Sequence, residues 1–79
     1  MGEHPRPSGW EKLSDILYTR IVSDEARSWL TVMLSPNARA RTWTWDYWQD
    51  SPGWCRGSSV FWNTPEEAME AADQAMGLA

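Results

Sequence analysis

The sequence predicts a small α+β domain, a three-stranded antiparallel β-meander with helices on one face, in the order α-β-β-β-α. Three observations lead there. A chain of 79 residues has room for one domain. Apolar residues recur at helical spacing near the start, and the C-terminal stretch carries a full set of helix start and stop signals. Between them, residues alternate with period two and are separated by turn-forming clusters.

Residues 1–8 hold two prolines and no pattern and read as a flexible tail, leaving 9–79 as the domain. Ser8 stands three residues before Glu11, the spacing of a helix capping box, and Leu13, Ile16, Leu17 and Ile21 follow at helical intervals. A helix over about 9–20 is the reading this favours. Its competitor is a strand through Tyr18-Thr19-Arg20-Ile21-Val22, rich in strand formers, pairing back through Ser23-Asp24-Glu25-Ala26. Trp29–Leu34 reads as the first strand, with Leu30, Val32 and Leu34 on one face, and Ser35-Pro36-Asn37-Ala38 as a turn. In the second strand Arg39, Arg41, Trp43, Trp45 and Tyr47 share one parity and Thr42, Thr44 and Asp46 the other. Asp50-Ser51-Pro52-Gly53 is a second turn, and Gly57–Trp62 the third strand.

The last helix has the clearest boundaries. Thr64 suits the N-cap, Pro65 the first helical position, and Glu67 completes a Thr-x-x-Glu capping box. Glu66 and Glu67 lie at the positive end of the helix dipole. Ala68, Ala71, Ala72, Ala75 and Met76 form the expected apolar stripe, ending at Gly77.

So short a chain needs a dense core. With one cysteine, Cys55, and one histidine, His4, it has neither a disulfide nor a four-ligand zinc cage to reinforce it. Its resource is seven tryptophans, each able to bury on the order of 200 Å². The Trp43/Trp45/Tyr47 row is the expected core face, because Thr42, Thr44 and Asp46 suit water better. Trp48 then falls on the opposite face. So do Trp29 and Met33, which oppose the apolar parity of their own strand. Exposed Trp and Met side chains grouped on an open sheet face form a candidate partner-binding patch. Arg39 and Arg41 share the core parity but lie at the strand's edge, beyond the helices, and are further partner-binding candidates.

Nothing points to catalysis. Cys55 has no histidine near it in sequence, and Arg56 alone gives thin support for a thiolate, so a passive cysteine is expected. Glu66, Glu70 and Asp73 read as a solvated helix face rather than a metal or acid/base site. No cofactor is expected. The net charge of −4 is uneven: residues 26–57 carry a local excess of two positive charges, and 58–79 four acids and no base. Bulk attraction to nucleic acid is therefore disfavoured. The opening residues lack a signal-peptide core and no apolar run approaches the ~20 residues of a membrane span, so a cytoplasmic location without membrane contact is expected.

The order α-β-β-β-α, ending in Thr-Pro-Glu-Glu-Ala-Met-Glu-Ala-Ala, is similar in layout to the double-stranded-RNA-binding domain. That family places lysines at the start of the last helix to grip phosphate. The present chain has Pro65, Glu66 and Glu67 there, which would repel it. The function expected from the residues is a non-enzymatic protein–protein interaction module, a small adaptor or inhibitor of phage or regulatory type. The alternative is a weak single-stranded nucleic-acid binder using tryptophan and arginine on the sheet. An unpaired edge strand could also join two copies into a homodimer.

Overall fold

The computed structural model describes residues 6–36 and 41–78. Five strands run in sequence order as one antiparallel sheet: β1 (Trp10–Ser14), β2 (Leu17–Ser23), β3 (Ser28–Leu34), β4 (Trp43–Gln49) and β5 (Trp54–Gly57). One helix, α1 (Pro65–Ala75), follows and packs across β3 and β4. This overturns the expected three-stranded meander flanked by helices, and with it the layout shared with the double-stranded-RNA-binding domain.

The first correction falls on residues 9–20, which form a hairpin. Ser8 and Gly9 make a turn, Gly9 taking φ +90°, rather than capping a helix. Leu13, Ile16 and Ile21, whose spacing suggests a helix, are exposed. The residues that reach the core are Trp10 and Tyr18, while Arg20 and Val22 share the parity of Tyr18 and are half-buried. That is a strand's period of two. Lys12–Asp15, at 3.2 Å, and the Ile16 amide donating to Ser14 Oγ at 3.2 Å close the β1–β2 turn. The competing strand reading of 18–22, turning back through 23–26, matches the observed β2–β3 hairpin.

The second correction concerns the last strand, which spans Trp54–Gly57 rather than Gly57–Trp62. Gly53, at φ +114°, allows the turn before it, and its carbonyl accepts from the Gln49 amide at 2.8 Å. Trp62 rejoins β4 through reciprocal bonds with Trp43 at 2.8 and 2.9 Å.

The C-terminal helix starts where its signals place it. Thr64 Oγ1 accepts from the Glu67 amide, the Glu67 carboxylate accepts from the Thr64 amide, and Pro65 opens the first turn. Its buried side is rotated from the expected stripe. Ala68, Met69, Ala72 and Asp73 are buried and Ala75 is exposed. Trp43 and Trp45 meet this side with Leu30 and Val32, as the parity of β4 predicts, while Tyr47 is half-buried. Small helix residues let the sheet come close, and the indoles fill the remaining space.

Asp73 corrects the reading of the helix acids as a solvated face. It is 4% exposed and lies 2.9 Å from Arg20 Nη1. The Trp10 indole N–H also donates to it, with distances of 3.1 and 3.2 Å to the two oxygens. One carboxylate thus ties α1 to β1 and β2, the two strands on one side of the pair that the helix packs across. Among the described residues no helix is long and apolar enough to cross a membrane.

Candidate functional site

The sheet has two unlike faces. Strand alternation sends Trp10, Tyr18, Leu30, Val32, Trp43 and Trp45 toward the helix, and their neighbours to the other side, which no element covers among the described residues. Register organises that open face into bands running across the strands. Ile21 of β2 pairs with Trp29 of β3, Trp29 with Trp48 of β4, and Trp48 with Trp54 of β5. The result is one continuous apolar band four strands wide. Within it the rings of Trp29 and Trp48 lie 6.5 Å apart, centroid to centroid, with their planes within 5°. Ile21 and Trp54 flank this stack at 57% and 55% exposure.

The next band is polar. Glu11, Thr19, Thr31, Asp46 and Gly57 are paired in turn across all five strands. It holds the indole donors in place: Trp48 Nε1 donates to Thr31 Oγ1 at 2.8 Å, and Trp54 Nε1 to Asp46 Oδ1 at 2.9 Å. With these N–H groups satisfied inside the protein, the two indoles present ring surface outward rather than a donor in search of a partner. Gly57 is needed beside Asp46, because a Cβ there would collide with Asp46 Oδ1. A third band contains Leu17, Met33 and Thr44.

At the rim beyond the apolar band, Ile21, Trp29, Asp24, Arg27 and Asp50 border a depression of about 330 Å³. Arg27 Nη1 pairs with Asp50 at 3.2 Å there. A second groove, of about 290 Å³, lies on the helix side between Trp45, Trp62, Arg56 and Ala71. Its Arg56 guanidinium sits 5.5 Å from the Trp45 ring centroid.

The candidate residues named from sequence are thus only partly assembled. Trp29 and Trp48 stack. Met33 shares their face but lies four residues along β3, about 13 Å from Trp29. Arg41 is exposed and precedes β4, at the end remote from Trp48. It therefore does not join the aromatic band, because chain direction carries it away. Arg39 falls outside the described residues. Ile21, Trp54 and Asp46 are the members that sequence reasoning missed. The favoured helix over about 9–20 takes Ile21 for its apolar spacing, and Trp54 falls between the second turn and the expected third strand, so neither is placed on a sheet face with Trp29. The signal that could find them is the register of a five-stranded sheet.

Cys55 is half-buried, its thiol 3.4 Å from the Gly53 carbonyl. Among the described residues no three His, Cys, Asp or Glu side chains gather closely enough to hold a metal ion. Comparison with models of known protein families, with curated proteins and with solved structures finds no match to this chain.

Proposed function

We propose that this chain is a non-enzymatic protein–protein interaction module, an adaptor or inhibitor that docks through the open face of its sheet. The observation that carries this is the four-strand band Ile21–Trp29–Trp48–Trp54. Two of its members are more than half exposed. Solvent contact with indole and isoleucine surface is unfavourable, and an aromatic cluster with a polar border has the anatomy of an interaction hot spot. The internally bonded indoles add rigidity, so docking would freeze few side-chain rotamers.

Single-stranded nucleic acid is the competing ligand, since exposed indoles can stack on bases. The placement of cations speaks against it. Arg20 is bound to Asp73, Arg56 lies over Trp45 on the helix side, and Arg27 pairs with Asp50. Phosphate binding by a groove needs several cations converging beside the aromatics.

The test is affinity capture from cells of the source organism, with and without nuclease. It compares the wild type with an Ile21→Ser/Trp54→Ser double variant and a control, Phe61→Ser, whose residue is exposed outside the five strands. A partner protein held by wild type and control in both arms, and lost from the double variant, supports the module. Capture that disappears with nuclease, or is unchanged in the folded double variant, overturns it.

A further inference from the structure

The charges of the sheet are sorted by face. Strand residues that carry positive charge are Lys12, Arg20 and Arg56, and each pairs with a residue of the helix side: Lys12 with Tyr18, Arg20 with Leu30 and Arg56 with Tyr47. Strand residues that carry negative charge are Glu11 and Asp46, both in the polar band of the open face. This face therefore has two carboxylates and no cation on its strands. The depression at its rim adds Asp24 and Asp50 against the single cation Arg27. Asp46 forms no ion pair among the described residues and accepts from the neutral indole N–H of Trp54.

We infer that the open face takes a basic segment of a partner protein, a lysine- or arginine-bearing stretch whose cationic side chains lie over the indole band and against the carboxylates of Asp46 and the rim. The inference rests on the interaction-module reading and supplies the chemistry of its partner. Two independent attractions act on such a ligand in the same place. Indole faces draw cations through the ring quadrupole. The adjoining carboxylates supply opposite charge, and burial against tryptophan weakens the screening of both by water. An acidic segment meets repulsion from Glu11 and Asp46, and a phosphate backbone meets the same field. A neutral sugar could stack on the rings, but its binding would be indifferent to salt.

The experiment titrates the protein with a synthetic peptide of alternating lysine and valine, following tryptophan fluorescence and calorimetry. Controls are the glutamate-for-lysine counterpart, a neutral oligosaccharide of glucose and a single-stranded oligonucleotide. Asp46→Asn is the decisive variant, because its amide oxygen can still accept from Trp54 while the charge is gone. The expected result is saturable binding of the basic peptide alone. Affinity should fall roughly two- to fivefold in Asp46→Asn, and that of the wild type should fall with added salt. The Ile21→Ser/Trp54→Ser variant should lose binding while keeping its fold.

Equal binding of the acidic peptide, salt-independent binding of the oligosaccharide, oligonucleotide binding, or a basic peptide unaffected by Asp46→Asn would each overturn the inference. The two readings fail separately. If capture of a cellular partner depends on Ile21 and Trp54 but not on Asp46, the module stands and its basic ligand falls. If capture depends on neither, both fall.

Discussion

Replacing Asp73 with alanine should be among the most damaging single changes available to this chain. The side chain is 6% exposed, and its carboxylate accepts from two donors, the half-buried Arg20 guanidinium at 2.9 Å and the buried Trp10 indole. Alanine strands both. Breaking one side of a buried ion pair costs about 3–5 kcal/mol, mainly from the charge left behind. The lower end applies here, because the Arg20 side chain keeps 22% exposure and can partly rehydrate. Unfolding entropy of ~2.1 cal/mol/K per residue over 79 residues then converts ~3 kcal/mol into a fall of roughly 18 °C in Tm. A domain of this length has a total stability of only about 4–12 kcal/mol, so the variant should sit near the edge of folding at 37 °C.

The assay is paired thermal and urea denaturation of wild type, Asp73→Ala, Asp73→Asn, and the double variant Arg20→Met/Asp73→Leu. Asparagine keeps an acceptor for Trp10 and should fall between wild type and alanine. The double variant removes both charges and should be more stable than Asp73→Ala alone, leaving chiefly the indole N–H unsatisfied. A loss below ~1 kcal/mol in Asp73→Ala, or a double variant no more stable than Asp73→Ala, would refute the clamp.

Two further outcomes follow from packing. Met69 is fully buried beneath the sheet, so Met69→Ala should cost about 2–5 kcal/mol, seen as a lower urea midpoint with little change in slope. Gly57→Ala should push the Asp46 carboxylate away from Trp54 Nε1, costing ~1 kcal/mol and shifting Trp54 emission, with basic-peptide affinity falling alongside.

The parts of the fold legible in the chain are those set by neighbours in sequence. Thr64, Pro65 and Glu67 define the start of α1 because capping is a bond across three residues. The alternation Trp43-Thr44-Trp45 identifies which side of β4 is buried, because consecutive strand residues must point opposite ways. That same parity separates Trp29, Met33 and Trp48 from the core. It fails at residues 9–20 for a specific reason. Periodicity identifies a helix only if apolar residues are the buried ones, and here Leu13, Ile16 and Ile21 are exposed while Trp10, Tyr18 and Arg20 turn inward.

What only the tertiary structure decides is which residues meet across the strands and across the chain. Trp10 and Asp73 lie 63 positions apart. The acid's role cannot be seen on a helix face that looks acidic and solvated, since a lone carboxylate there carries no local mark of the arginine that will reach it. The apolar band has the same origin. Ile21, Trp29, Trp48 and Trp54 become neighbours only when four strands settle in one register, and a shift of a single residue would turn a strand's side chains to the wrong face. Local chemistry therefore determined the helix boundaries, the sidedness of the central strands and the supply of indoles. The long-range register, enforced by burying one face of the sheet, decided that Trp10 joins the core and that Trp29, Trp48 and Trp54 align into one surface.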